Sequence, residues 1–377
     1  MKHIWIDSDA ALAAALDAHR GAANVAIDTE FRRRDTFFPQ VALLQICWND
    51  VAYLIDPIAI SDASGIESLL LDSAVTKYLH SASEDLEVFE HWLGIKPTPL
   101  FDTQRAAGLV GLDPGISYRA LVAEFKGIEV PKDETQSDWL KRPLTDAQQE
   151  YAALDVVYLL DIGRELEARV TELGRLDWVL EDGARMATGG KGPLAKFKSA
   201  WKLDSRQRSA LAALVEWRDE RARDRDKPRS WIAPDKALTA IAQRLPESVN
   251  SLAALDGVPE PLARRQGRRL LDVVARAADG TYVTDWCPQK PLPRDAKAQL
   301  NVLAARRDEI AAALAVAPEV LVANRDLELL LREALGETIE EPPAWQGWRA
   351  QQVVQPLRET AASLVTGKVA GTVTGKQ

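Results

Sequence analysis

Four carboxylates and one phenol are the residues of this chain best placed to do chemistry. Asp28 and Glu30 sit one residue apart at the end of the apolar run Val25-Ala26-Ile27. In a strand, residues i and i+2 point to one face. The two acids therefore stand side by side, about 6–7 Å apart at the backbone. Carboxylates that close repel and hold their protons unless a cation lies between them. Oxygen ligands of this kind suit Mg²⁺ or Mn²⁺. A strand end meeting solvent also carries acids, so the pair alone leaves both readings open.

Two further stretches offer acids. In "YLHSASEDLEVF" (78–89) a strand ending at His80 leads into a helix that Ser83 can cap, with Asp85 in the first turn and Leu86 and Phe89 facing a core. Acids in a first turn also complement the helix dipole without any further role. In "YAALDVVYLLDI" (151–162), Tyr151 and Asp155 lie four apart on a helix and share a face. Leu154, Tyr158 and Leu159 accompany them, and an acid in such an apolar stripe is costly unless paired or metal-bound.

The elements that must hold these residues are a mixture of strands and helices over roughly the first 165 positions. Short apolar or alternating runs predict strands at 3–6, 24–31, 41–48, 51–56 and 75–80. The "ND" at 49–50 predicts a tight hairpin. Helical periodicity predicts helices at 8–19, 63–72, 84–93, 103–111, 117–125 and 146–169, the last opened by a capping box from Thr145 to Gln148. "GGKGPLAK" (189–196) reads as a linker. Beyond residue 204 the strand signals stop and an internal repeat appears. Leu211, Leu214 and "RDE" (218–220) recur 89 positions later as Leu300, Leu303 and "RDE" (307–309), and "WIAPDKAL" (231–238) matches "VLVANRDL" (320–327) at the same offset. Two copies of one helical module are expected, at 204–284 and 292–366. The Gly/Thr-rich end, 367–377, is expected to be disordered.

Composition narrows the classes. A chain of 377 residues, 46% hydrophobic and 27% charged, is a globular protein of two or three domains. Cys47 and Cys287 form no CxxC pair, which argues against a disulfide framework or a structural zinc and fits a reducing compartment. The charged opening and the lack of an 18-residue apolar run predict neither export nor a membrane span, hence a cytoplasmic protein. A net charge of −9 speaks against an unselective nucleic-acid coat but not against a nucleic-acid substrate.

Taken together, Asp28-Thr29-Glu30, Asp85 and Tyr151-Ala-Ala-Leu-Asp155 resemble the three motifs of the DEDD exonuclease superfamily, in order, with Tyr151 marking its tyrosine branch. The stretches "DTEFRRRDTFFPQVALLQI" (28–46), "HSASEDLEVF" (80–89), "FDTQRAAGLVG" (101–111) and "QSDWLKRPLTDAQQEYAALDVVYLL" (136–160) resemble the bacterial ribonuclease D family more closely still. That family carries helical C-terminal modules called HRDC, and the repeat fits them. The resemblance implies a ribonuclease-H-like (DnaQ-like) α/β exonuclease domain over 1–190, with a mixed five-stranded sheet and the DxE on its central strand, then two all-α HRDC-like domains. It implies a 3′→5′ exoribonuclease acting on RNA 3′ tails, tRNA precursors above all, with no obligate protein partner. Asp28, Glu30, Asp85 and Asp155 would hold two divalent ions, Mg²⁺ or Mn²⁺, about 4 Å apart, and Tyr151 would position the nucleophile. A DNA exonuclease of the same fold, or a scaffold that binds RNA without cutting it, are the competing readings.

Residues near the motifs give softer expectations. Arg32, Phe38, Lys132, Ser137 and Trp139 are candidates for substrate contact; Trp139 could equally plug a core, and Phe37 or Phe38 could do the same. Arg218, Arg221, Arg223, Lys227, Arg229 and Lys236, with Trp231 nearby, could form a basic face that grips RNA, diluted by Asp219, Glu220, Asp224 and Asp226.

Overall fold

The computed structural model describes residues 2–131, 134, 137–187, 192–294 and 296–373, with the side chains of 278 and of 367 onward left aside. The chain divides into two compact units, one of residues 1–32, 41–189 and 292–377, the other of residues 33–40 and 190–291.

The first unit opens with strand β1 (His3–Ile6), helix α1 (Asp9–Ala18), and strands β2 (Asn24–Arg32), β3 (Gln40–Trp48) and β4 (Val51–Ile55). Helix α2 (Ser64–Leu71), strand β5 (Thr76–Leu79), helix α3 (Ser83–Leu93) and strand β6 (Leu100–Asp102) follow. Four helices, α4 (Thr103–Leu109), α5 (Tyr118–Lys126), α6 (Asp146–Glu172) and α7 (Leu176–Met186), complete the run. The sheet has six strands in the order β1-β4-β3-β2-β5-β6, not five. The extra strand, β6, is three residues long and runs straight into α4, too short to show an alternation of its own. The sheet is mixed: β3 and β4 are antiparallel, while β1 pairs with β4, β2 with β5 and β5 with β6 in parallel.

Local chemistry explains the turns. Asn49 and Asp50 both take positive φ, 47° and 64°, the turn that matches the twist of a two-residue hairpin, and Trp48 pairs with Val51 across it. Thr145 and Gln148 form the reciprocal capping box that starts α6. Ser83 is not a cap: α3 begins after Ala82, whose N–H donates to Asp102 Oδ2 at 2.9 Å. Asp102 Oδ1 accepts from Gln104 N and Arg105 N, so one buried carboxylate serves the starts of both α3 and α4.

Helix α6 lies across β2 and β4. Gly163 lets it approach closely, since a Cβ there would fall 2.5 Å from the Tyr78 ring of β5. On the other face, Ile6, Val25, Ile27, Leu44 and Ile46 pack with Leu12, Ile66 and Leu70. Strand β3 is buried along both faces, which is why its sequence reads as a nearly unbroken apolar run.

The later helices of this unit are α13 (Ala296–Ala313), α14 (Pro318–Leu321), α15 (Asn324–Ala334) and α16 (Gln355–Val373), and the second unit holds α8 (Ser205–Asp224), α9 (Arg229–Ile232), α10 (Asp235–Arg244), α11 (Val249–Ala253) and α12 (Glu260–Ala278). The repeat is visible in the chemistry of one buried arginine in each copy. Arg218 donates to Ala233 O and to Asp235; Arg307, 89 positions on, donates to Val322 O and to Asn324 Oδ1. The second copy shares one apolar cluster with the nuclease layer, where Leu303, Leu330, Trp345 and Leu357 join Phe101, Leu159 and Leu166. Trp348 stacks on Trp178 with centroids 4.2 Å apart, and Arg175 donates to the carbonyls of Leu109 and Leu314. Helix α16 continues to Val373, so helix extends into the stretch expected to be disordered; residues 374–377 lie outside those described.

Candidate active site

Strand β2 does not stop at the DxE pair but runs on to Arg32, so Asp28 and Glu30 project from the body of a strand that lies between β3 and β5, just past the Asn24–Ala26 stretch paired with β5. Asp155 reaches them from α6. One ligand atom from each of Asp28, Glu30 and Asp155 lies within 4.8 Å of the others. Asp85 is set apart from that trio. It is 8% exposed in the first turn of α3 and accepts a hydrogen bond from Thr29 Oγ1 at 2.5 Å. All four acids, Thr29 and Tyr151 line one cavity of about 400 Å³.

No lysine or arginine among the described residues forms an ion pair with these acids, and their protonation reflects it. Burial, then the charges of Asp85, Asp155 and Glu30, holds Asp28 well above the usual carboxylate range. Burial, then Asp155 and Asp85, pushes Glu30 up to about 9. Burial pushes Asp155 up to about 7, and also Asp85 to about 7 although the Thr29 bond opposes it. Carboxylates crowded together without a protein counter-charge offer the oxygen ligands a hard divalent cation takes, and such a cation would restore their ionised forms. The Tyr151 hydroxyl is likewise raised by burial and then by the fields of Asp155, Glu30 and Asp28, so it stays protonated at neutral pH.

The softer expectations divide. Trp139 is 3% exposed, packed with Ala42, Leu43, Leu54 and Leu144 and with its ring 6.0 Å from that of Tyr151. It is the plug behind Tyr151 rather than a surface for substrate. Ser137 is half-buried and its hydroxyl donates to Glu134. Arg32 is half-buried at the end of β2. Lys132 lies outside the described residues. His80 lines the cavity, with Nδ1 bonded to Thr103 Oγ1 and Nε2 to Ile116 O. Thr29, Tyr118 and Arg119 also line it and were not singled out from the sequence. Thr29 was in view as the middle residue of DxE, while Arg119 carries no local signal at all.

In the second unit, Phe37 is buried between the Arg223 and Arg229 guanidinium groups, 4.8 and 4.6 Å from its centroid. Phe38 is half-buried, and both backbone N–H groups donate to Asp226 Oδ1 at 2.9 and 3.0 Å. Arg218 is 1% exposed and structural, not part of a basic face. Arg221, Arg225 and Arg265 instead line a cleft of about 210 Å³ with Trp231, which is 64% exposed.

Comparison with known proteins bears on both units. A 3′-5′ exonuclease family model matches residues 3–171, and an HRDC domain model matches residues 207–274. The chain is similar to the ribonuclease D of Pseudomonas paraeruginosa, 38% identical over 363 residues that cover 94% of this chain and 96% of that protein. It is 33% identical to the ribonuclease D of Escherichia coli over 95% of this chain and 98% of that one. The crystal structure of E. coli RNase D, described as an exoribonuclease involved in structured RNA processing, superposes with a TM-score of 0.85 over 96% of this chain and 98% of that chain, at 32% identity. The catalytic core of RRP6 from Trypanosoma brucei, at 21% identity and a TM-score of 0.56 over 74% of this chain and 80% of that chain, shares the fold.

Proposed function

The chain belongs to the ribonuclease D family, and from that premise we propose that it is a metal-dependent exoribonuclease trimming RNA from the 3′ end to 5′-mononucleotides, with tRNA precursors as its main substrates. The observation that carries the reading is the meeting of Asp28, Glu30 and Asp155 within 4.8 Å, in one cavity with Asp85 and Tyr151. A scaffold that only binds RNA has no use for four crowded acids, one buried and three half-buried, whose repulsion the fold must carry. We assign the nuclease domain to 1–190 and the helical modules to 204–284 and 292–366.

Asp28, Glu30, Asp85 and Asp155 would hold two divalent ions, Mg²⁺ or Mn²⁺. When bound, such ions neutralise the attacking and leaving oxygens and make water a nucleophile near neutral pH. The chain's own contributions are positional. Thr29 fixes one oxygen of Asp85. Tyr151, still protonated, donates a hydrogen bond to the incoming water or the phosphate rather than removing a proton. Trp139 holds the Tyr151 ring from behind. In the second unit, Trp231 offers a face for a base and Arg221, Arg225 and Arg265 offer charge for phosphates, a combination that grips single strands with strong salt dependence. No helix among the described residues is long and apolar enough to cross a membrane, and we place the reaction in the cytoplasm without an obligate protein partner.

The test is digestion of a 3′-extended tRNA with Mg²⁺, with Mn²⁺ and with EDTA, beside a DNA strand of the same sequence. The expected result is metal-dependent release of 5′-mononucleotides from the RNA 3′ end. RNA bound but left whole in both metals would sink the reading in favour of a scaffold, and faster trimming of the DNA would move it to a DNA exonuclease.

A further inference from the structure

The cavity has a cation on its wall that the acid chemistry does not use. Arg119, at the start of α5, is the one lysine or arginine among the described residues lining it. Its Nε donates to Val130 O at 2.5 Å. That bond pins one edge of the guanidinium plane, and a pinned guanidinium presents its remaining N–H groups as a preformed fork for two phosphate oxygens.

We propose that Arg119 binds the phosphodiester next to the scissile one and so sets how far the RNA end enters the cavity; this rests on the exoribonuclease reading of the same site. The scissile phosphate must lie against the trio of Asp28, Glu30 and Asp155. Arg119 shares the cavity with Tyr151 and the four acids, yet among the described residues no ion pair joins it to any of those acids. The guanidinium therefore stands beyond ion-pair distance of the acids, on the wall where it donates to Val130 O, and can meet the neighbouring phosphate of a strand whose end enters the same cavity. A site lined with four carboxylates also needs some positive charge outside the metal positions to accept a second phosphate. Arg119 is thus a positioning and binding residue, distinct from the acids that do the chemistry.

The competing role is a strut: Arg119 could do no more than tie α5 to residue 130. A double cycle separates the two. RNA ends are made with one uncharged methylphosphonate at the penultimate linkage, leaving the terminal linkage cleavable. The wild type should lose about tenfold in kcat/KM on that RNA, the size of one charge-assisted hydrogen bond. Arg119→Met should lose about tenfold on ordinary RNA, mostly in KM, and nothing more on the methylphosphonate RNA. Arg119→Lys should recover part of the loss. The slope of log KM against log salt should fall by about 0.7 in Arg119→Met, as for one lost contact to a single strand. Equal losses for Arg119→Met on both RNAs would make it a strut and overturn the proposal. If Arg119→Met does not fold, the wild type decides alone, since indifference to the neutral penultimate linkage overturns the proposal equally. A wild type that trims ordinary RNA but shows no coupling removes only Arg119, whereas one that leaves ordinary RNA whole removes the nuclease reading itself.

Discussion

Two sets of acids shielded from solvent to different degrees, Asp182 and Asp85 buried and Asp28, Glu30 and Asp155 half-buried, keep opposite company in the same compact unit. Asp182 on α7 is held by Arg349, whose Nη1 and Nη2 donate to its two oxygens at 2.5 and 2.9 Å, and it is also paired with Arg185 and bonded by Trp348 Nε1. Burial pushes its proton affinity up, but the Arg349 bonds and charge, with those of Arg185, outweigh burial and leave it below the usual carboxylate range. Asp28, Glu30, Asp85 and Asp155 have no such cation among the described residues, and all four are raised. One fold thus carries both solutions to the same cost. Where a buried carboxylate exists to hold the chain together, the chain supplies its partners, guanidinium groups for Asp182 and backbone N–H groups for Asp102. On the function proposed for the other four, the counter-charge is left to come from outside, as metal and substrate.

The largest effect should come from removing a charge of the unpaired set. Asp28→Asn or Asp155→Asn should lower exonuclease turnover about a thousandfold or more, since a lost metal ligand forfeits several kcal/mol at about 1.4 kcal/mol per tenfold. Without metal, the melting temperature of either variant should equal or exceed that of the wild type, because a neutral amide relieves repulsion. A variant that melted early would show that the acids serve the fold after all. Tyr151→Phe should cost about a hundredfold or more with no change in melting, and full activity would take the hydroxyl out of the mechanism.

The paired set should answer in the other currency. Asp182→Asn strands the Arg349 guanidinium and should cost about 3–5 kcal/mol of stability, read by urea unfolding, while turnover per folded molecule stays near wild type. The pH dependence follows from the sign of the shift. The folded proton affinity of Asp182 is depressed, so its contribution is fully present above the unfolded value of about 3.9 and is lost as pH falls through the folded value. Wild type should therefore lose more stability than Asp182→Asn on acidification below about pH 4. Parallel acid limbs for the two proteins would show that the Arg349 pair contributes nothing.

What could be read from the sequence was local. The DxE spacing, the Tyr151–Asp155 turn, the Thr145 capping box and the Asn49-Asp50 hairpin each involve residues within four positions of one another, and each is present. The repeat was legible for a related reason: a buried arginine and its acceptor, 15 to 17 residues on, recur as a set. The misses are pairings at long range. Arg349 meets Asp182 across 167 positions, Trp348 stacks on Trp178, and no periodicity announces either. For that reason the apolar cluster that the second module shares with the nuclease layer could not be read from the sequence, which left the placement of the module open. Trp139 and Arg218 were offered to RNA because type alone does not tell a buried aromatic or guanidinium from an exposed one. β6 was missed because three residues cannot display alternation.

The smallest effect, and the finest test of the contrast, concerns Thr29. Its hydroxyl is the only side chain among the described residues bonded to an acid of the unpaired set, at 2.5 Å to Asp85 Oδ1. If Asp85 exists for a cation, Thr29 is there to aim it, as partners behind a metal ligand do. Thr29→Val keeps the shape and the strand preference and removes only the O–H. It should raise the metal concentration needed for half-maximal activity about tenfold and leave turnover at saturating metal much closer to wild type, with Thr29→Ser restoring the difference. A hydroxyl serving only the packing of β2 against α3 would behave otherwise. Its loss would lower the melting temperature and leave the metal requirement where it was, and Asp85 would then belong with Asp182 among the acids of the fold.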